Sequence, residues 1–533
     1  MRILGIEGTA WAASAAIYDT RDETIVIESN PYQPDSGGLH PREAAEHMST
    51  ALPEVISIIL DRAATSGETN TIGIDAVAFS RGPGLGPCLR VVGTAARTLT
   101  QALSVPLVGV NHMIAHLEIG RYQSGFETPV CLNASGANAH LLGYHRSQYQ
   151  VLGETMDTGV GNAIDKFTRH LEWDHPGGPK VEAAATDGDY CDLPYVVKGM
   201  DFSFSGIMSA AKDAVDDGAP VEDVCTGLQE TIFAMLTEVT ERALSLTGTS
   251  ELVLGGGVGQ NDRLREMLSM MCAARGASFH APEPRFLRDN AGMIAVLGAA
   301  MHEAGQTISV ENSAVDPNFR PDAVTVKWRD NQTSVTHTPT TLSESPIRGA
   351  EATVRRVDDR VIKRRVEKSY RHPKLDRQLR AERTRAEARL TSAARRLGVP
   401  TPVIYDVDPM TGTLIFDYVG DADLAAELTE SRCRAVGQHL GKIHDAGFVH
   451  GDPTTRNIRV DPAQTYMIDF GLGYHTDHIE DHAMDLHVFI QSITGTASDP
   501  NPLITAFESG YAETGMSTVQ SRLGEIESRG RYQ

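Results

Sequence analysis

The chain has 533 residues, more than one hydrophobic core ordinarily organises, and reads as several domain-sized units. Its hydrophobic fraction is 41% and no apolar run approaches membrane-spanning length, so no transmembrane helix is read, and the opening MRILGIEGTAW reads as a buried strand rather than a signal peptide. A net charge of −22 argues against a generic non-specific nucleic-acid binder, and six scattered cysteines without a C-x-x-C pair support neither a disulfide framework nor a zinc ribbon, which fits a reducing cytoplasm.

From the start to about residue 325, short β-like runs alternate with longer helical patterns. RILGIEG, AAIYD, DAVAFS, PLVGV, TPVCLNASG, AHLLGYH and ELVLGGG read as strands. PREAAEHMSTALPEVISIILDRAA, CLRVVGTAARTLTQAL, VCTGLQETIFAMLTEVTERALSL and NDRLREMLSMMCAARG read as helices. This alternation predicts an α/β fold with ligand-binding turns at the strand ends. Two glycine turns, GIEGTAW and LGGGVGQND, suit phosphate recognition by backbone N–H groups, although a tight hairpin also explains the first.

NHMIAHLEIG sets His112 and His116 four apart, on one face of a helix. No Glu follows His112, so this is not the H-E-x-x-H hydrolase motif. The spacing alone does not separate a metal site from two packed histidines. FLRDNAGMIA offers Asp289 as a further ligand, and two His with one Asp suit Fe²⁺ or Zn²⁺.

A Ser/Thr-rich stretch without apolar periodicity makes residues 326–345 a linker between domains at 1–325 and 346–533. Beyond it come Lys363 in VIKRR, Glu387 in RTRAEARL, Asp452 and Asn457 in HGDPTTRN, and Asp469 in MIDFG. That is the protein-kinase order. Lys363, held by Glu387, would neutralise ATP phosphates. Asp452 would take the hydroxyl proton or position water, while Asn457 and Asp469 would hold Mg²⁺. The phosphate loop would be Ile347, Arg348, Gly349, Ala350, Glu351, Ala352, Thr353 and Val354, with one glycine where an ordinary kinase has three. No A-P-E segment follows Asp469. The run from Arg348 to Arg396 is dense in Arg and Lys, and is either a surface for a partner or nucleic acid or a set of solvated helix faces.

The stretches VIKRRVEKSYRHPKLD, RTRAEARL, KIHDAGFVHGDPTTRN and MIDFGLG resemble the small atypical kinase or ATPase of the KEOPS complex, the Bud32 family. Pro453 and Arg456 depart from its usual residues. GIEGTAW, GGLHPREAAEHM, SRGPGLGPCLR, NHMIAHLEIG, GVGNAIDKFTR, HPGGPKVE, DFSFSG, LGGGV and RDNAGMIA resemble the Kae1/TsaD family. The resemblance implies an actin-like (ASKHA) two-lobed ATPase fold followed by a small protein-kinase-like α+β domain. It implies transfer of the threonylcarbamoyl group of L-threonylcarbamoyl-AMP to N6 of adenosine 37 in tRNAs reading codons that begin with A. By the same resemblance His112, His116 and Asp289 are metal ligands. Substrate contacts carry over to Ser135, Gly136, Asp165, Gly178, Glu182 and Asn261, within or near the pocket stretch Asn133, Ala134, Ser135, Gly136 and Ala137. Asn133 stands where relatives carry a Tyr near the metal. The implied partners are tRNA and small KEOPS subunits of the Pcc1 and Cgi121 type. Other readings are glycoprotease-like hydrolysis, a non-enzymatic scaffold, or a Ser/Thr kinase with a regulatory nucleotide- and tRNA-binding front half.

Overall fold

The computed structural model describes residues 1–32, 40–65, 73–145, 147–329 and 346–528. It divides into two compact units, one made chiefly of Met1–Val196 and Met200–Thr336, the other chiefly of His337–Arg531.

The first unit holds two five-stranded sheets built to one plan. The first lobe contains β1 (Arg2–Glu7), β2 (Ala12–Asp19), β3 (Thr24–Pro31), α1 (Pro41–Thr65), β4 (Ala76–Gly82), α2 (Gly86–Leu103), β5 (Leu107–Asn111) and α3 (His112–Ser124). The second contains β6 (Val130–Ala134), β7 (Ala139–His145), β8 (Gln148–Glu154), α4 (Val160–His170), α5 (Gly178–Ala184), α6 (Ser205–Asp216), α7 (Val221–Thr247), β9 (Glu251–Gly255), α8 (Asp262–Arg275), β10 (Ser278–His280) and α9 (Ala291–Glu303). Strand order is β3-β2-β1-β4-β5 in one sheet and β8-β7-β6-β9-β10 in the other. In each, an antiparallel meander is extended by two parallel strands. This duplicated plan is the actin-like two-lobed fold that the sequence predicts.

β1 is covered on both faces, which explains its almost unbroken apolar run. Leu4 and Ile6 pack with Met48, Leu52 and Val92 of α1 and α2. Ile3 packs with Ile294 and Met293 of α9. Gly5 permits that approach, because a Cβ there would lie 2.3 Å from the Ala291 carbonyl oxygen. The last helix of each lobe therefore packs on the other lobe's sheet: α9 on β1, β2 and β4, α3 on β9 and β6. Both helices start from an asparagine N-cap. Asn111 accepts from the Met113 and Ile114 N–H groups, and Asn290 accepts from that of Met293. His112 and Asp289 thus lie at the starts of the two crossing helices.

Val326 and Trp328 pack against the first unit's core and Arg329 is buried beside Glu118, so this unit's packing continues to residue 329, inside the predicted linker. The remainder of that linker lies outside the described residues.

The second unit opens with an antiparallel sheet of order β11-β12-β13-β15-β14, formed by β11 (Ile347–Arg348), β12 (Ala352–Val357), β13 (Arg360–Arg365), β14 (Ile404–Asp408) and β15 (Thr413–Asp417). α10 (Pro373–Arg396) packs on it through β14 and β15. A largely helical part follows, with α11 (Glu430–Asp445), α12 (Ile479–Thr496), α13 (Asn501–Ala512) and α14 (Ser517–Ser528) around an apolar core that includes Leu440, Phe470, Phe489 and Phe507.

Candidate metal centre and kinase-like site

His112 is the first residue of α3, and His116 follows one turn later on the same face, with ring centroids 4.9 Å apart. The loop before α9 brings Asp289 to both. Its Oδ1 lies 3.4 Å from His112 Nε2 and 3.2 Å from His116 Nε2. One ligand atom from each of the three falls within 4.8 Å of the others. Two imidazoles and one carboxylate suit a first-row divalent ion.

Behind them stands Glu7, fully buried at the end of β1. It accepts from His112 Nδ1 at 3.1 Å and from the Thr9 N–H at 2.7 Å. A carboxylate behind a ligating imidazole fixes its tautomer and raises its basicity. The sequence reading missed this role and took GIEGT only as a phosphate turn. The signal was a carboxylate at the end of an otherwise apolar strand.

The electrostatics follow from burial and these contacts. Burial alone would lower the His112 pKa, but the carboxylates of Glu7 and Asp289 outweigh it and push it up to about 10. Burial keeps His116 below its ordinary value. Burial works against the Asp289 carboxylate, but the neighbouring imidazoles, His112 above all, hold its pKa below the usual range. Without metal, a proton held on His112 therefore offsets part of the cluster's carboxylate charge.

The β6–β7 turn lies beside this cluster. Asn133 and Ala134 are buried at the strand end, and Ser135 Oγ closes the turn by donating to the Asn138 carbonyl at 3.0 Å. Gly136 accepts through its carbonyl from Asn162 N–H, joining the turn, with Ala137, to the start of α4. A Cβ at Gly161 would lie 2.6 Å from Gly136 Cα, so the glycines of GVGN serve this close approach. The LGGGV turn abuts the β6–β7 turn: Gly256 has φ +84°, and a Cβ there would lie 2.2 Å from the Ala134 carbonyl oxygen. Farther along the second lobe, Asp165 accepts from Gly177 N–H at 2.8 Å, just before Gly178 opens α5. Glu182 accepts from Asp262 N–H at 2.9 Å, beside Asn261, which caps α8. The structure thus joins Asn133–Ala137 to the glycine turn and Glu182 to Asn261, at strand ends and helix starts.

In the second unit, Lys363 Nζ lies 2.8 Å from Glu387 Oε1 and 2.6 Å from Asp469 Oδ1. Glu387 also accepts from Arg365 Nη2 at 2.7 Å. Burial raises the Glu387 pKa despite these cations. Burial also opposes ionisation of Asp469, but Lys363 and Arg365 outweigh it and hold its pKa at about 2. Asn457 Nδ2 donates to Asp452 Oδ2 at 2.8 Å, and the Asn457 carbonyl accepts from Ile468 N–H, tying the HGDPTTRN loop to the strand before Asp469. His450 completes this tie by bonding the Ile468 carbonyl at 2.9 Å and packing on Phe470.

The predicted phosphate loop is mostly a paired hairpin: Ile347 and Arg348 face Val354 and Thr353, and Ala352 is buried. Only Gly349, Ala350 and Glu351 form its tip. The Ala350 carbonyl accepts from Lys368 Nζ. Glu351 binds Arg365 at 2.9 Å and Arg383 at 2.6 Å. Arg365 went unnoticed in the sequence because only its neighbour Lys363 matched the kinase pattern.

A duplicated actin-like unit with a His₂–carboxylate cluster, followed by a kinase-like unit, is the class defined by fold and sites. Residues 23–296 match the family model of TsaD, tRNA N6-adenosine threonylcarbamoyltransferase. The chain is 86% identical over 532 residues to a "Probable bifunctional tRNA threonylcarbamoyladenosine biosynthesis protein" of Haloquadratum walsbyi, covering 100% of both chains. A Halobacterium salinarum protein of the same description is 67% identical over 100% of this chain and 99% of its own. One from Methanospirillum hungatei is 50% identical over 99% of each. This chain belongs to the TsaD family of tRNA N6-adenosine threonylcarbamoyltransferases. Among its described residues, no helix is long and apolar enough to cross a membrane.

Proposed function

We propose that the first unit transfers the threonylcarbamoyl group of L-threonylcarbamoyl-AMP to N6 of adenosine 37 in tRNAs reading ANN codons. The observation that carries this reading is the meeting of His112, His116 and Asp289 beside two glycine turns in a chain of this family. Adenine N6 is a poor nucleophile, so it needs an activated carbonyl and a stabilised leaving AMP. A bound Fe²⁺ or Zn²⁺, held by His112, His116 and Asp289, would supply Lewis acidity toward phosphate and threonyl oxygens. Backbone amides of the Ser135–Ala137 and Gly256–Gly257 turns would stabilise charge on the leaving phosphate. Asp165, Gly178, Glu182 and Asn261 would line the nucleoside side.

The second unit would bind ATP and Mg²⁺. Lys363 neutralises phosphates, Asn457 and Asp469 hold the ion, and Asp452 orients water or a Ser/Thr hydroxyl. ATP hydrolysis there would support the tRNA cycle in a cytoplasmic complex with small KEOPS subunits. Joining both activities in one chain raises their effective concentration for a shared substrate.

The test is reconstitution at high salt with tRNA, L-threonylcarbamoyl-AMP, ATP and the small subunits, followed by tRNA digestion and mass analysis. Threonylcarbamoyladenosine is expected with the wild-type protein and absent with His116→Ala. A complete mixture with folded, metal-loaded wild-type protein that yields no modified adenosine overturns the reading. Peptide phosphorylation in that same mixture would favour the kinase-with-scaffold alternative.

A further inference from the structure

The two histidines are supported unequally. His112 carries Glu7 on its Nδ1, whereas His116 Nδ1 is buried without a hydrogen-bond partner. A ligating imidazole almost always gives its second N–H to an acceptor. An acceptor stands close by: Asn133 is 4% exposed, and its Oδ1 is also buried without a partner. Gly255 lies between the two side chains. A Cβ there would be 3.3 Å from Asn133 Oδ1 and 3.5 Å from His116 Cβ. His140, paired across the strands with Asn133, is 1% exposed, and both its ring nitrogens lack partners.

The duplicated topology gives this arrangement a counterpart. In the first lobe's hairpin, Glu7 pairs with Ser14; in the second, Asn133 pairs with His140 at the same seven-residue separation. Glu7 closes the pairing of its hairpin and Asn133 stands one pair before the close of the other, both near the ends of the two central strands. Ser14, the cross-strand partner of Glu7, accepts from Ala291 N–H at the start of α9 at 3.0 Å. In the first lobe this pair orients one histidine and one crossing helix. In the second it faces α3 and His116.

We propose that Asn133 is a positioning residue for the metal site: with an ion on His116 Nε2, the two unpartnered groups close and Asn133 Oδ1 accepts from His116 Nδ1–H, as Glu7 does for His112. This rests on the metal-binding reading of His112, His116 and Asp289, and it gives Asn133 no place among the ligands.

The test uses Co²⁺ as the probe in the full-length metal-free chain, measuring affinity by chelator competition and coordination by visible absorption. Asn133→Leu is expected to weaken Co²⁺ binding by about 10–100-fold, with unchanged d–d bands at saturation. Asn133→Asp, which keeps an acceptor of the same length, is expected to restore wild-type affinity. Thermal unfolding of the metal-free variants checks that each folds, and the Asp variant decides the matter if the Leu variant does not. An unchanged affinity in Asn133→Leu overturns the proposal. So do d–d bands altered at saturation, which would mark Asn133 as a ligand. A wild-type chain that takes up no Co²⁺ overturns the metal reading as well, and is distinguishable from failure of the variants alone.

Discussion

At the histidine cluster of the first unit, two carboxylates, Glu7 and Asp289, face two imidazoles, whereas in the second unit three cations, Lys363, Arg365 and Arg383, face three carboxylates, Glu351, Glu387 and Asp469. The first group lacks positive charge and borrows a proton on His112, which offsets only part of its carboxylate charge. The second is already balanced by its own side chains. A cation should therefore enter the first site by displacing a proton. A magnesium nucleotide should enter the second by exchanging partners, with Asp469 leaving Lys363 for the ion and Lys363 turning to phosphate. A site that lacks charge is emptied by removing one ligand; a balanced network loses stability when one member goes.

The largest expected effect is at the first site. Asp289→Ala removes the ligand shared by both histidines. Metal content by elemental analysis should fall below detection, and adenosine modification should drop on the order of 10³-fold or more, beyond the cost of losing an outer partner. ATP hydrolysis should persist, and its loss would break the separation between the sites.

Next comes the balanced network. Glu387 is 1% exposed and holds both Lys363 and Arg365, so Glu387→Gln takes one of two carboxylates from each of these buried cations and leaves Lys363 with Asp469 and Arg365 with Glu351. The cost should be about 3–5 kcal/mol, read as a lower denaturation midpoint for the second unit, with ATP hydrolysis lost. Metal content of the first unit should not change.

The borrowed proton makes a pH prediction. In the metal-free chain the His112 pKa is raised from 6.5 to about 10, so its contribution to stability is full below pH 6.5 and is lost as pH rises through 10. Thermal stability of the metal-free protein should fall across that window. Metal affinity should rise about tenfold per unit, because ions compete with one proton. Calorimetry at pH 7 in buffers of different ionisation enthalpy should show about one proton released. Glu7→Gln should flatten both profiles. Equal slopes in wild type and variant would remove Glu7 from the charge balance.

What could be read beforehand differed between the units for a physical reason. The kinase-like residues follow chain order along local strands, a helix and two loops, so Lys363, Glu387, Asp452, Asn457 and Asp469 were visible as a spaced pattern. Asp289 is far in sequence from His112 and His116, and the three meet only because α3 and α9 cross onto opposite sheets; Asp289 joined the histidines through family resemblance, not spacing. The two-lobed plan was legible through family resemblance and not as a sequence repeat, because it is kept in strand order and pairing sense rather than in residue type: β1 ends on Glu7, whereas β6 ends on Asn133 and Ala134. Trp328 and Arg329 read as linker because polarity and short apolar spacing do not reveal packing against a distant strand.

The smallest effect concerns the Arg-rich run, which the fold sorts into two populations. Arg380 and Arg383 turn inward to Asp376 and Glu351. Lys374, Arg377, Arg385, Arg389 and Arg396 are exposed on α10. At 100° per residue these five fall within about 120° of the helix circumference, a basic stripe on a chain whose net charge is −22. If the stripe follows a phosphate backbone, each contact releases about 0.9 counterion. Reversing Arg385 and Arg389 to Glu should then reduce the slope of log affinity for tRNA against log salt by about 2. Because a fixed slope change acts through the logarithm of salt, the affinity gap should narrow as KCl rises, and titrations from low to high salt should separate the curves most at the dilute end. ATP hydrolysis, which uses the inward-facing Glu387 on the opposite face of the same helix, should be unaffected. Parallel slopes for variant and wild type would assign the stripe to solvation and leave tRNA to other surfaces.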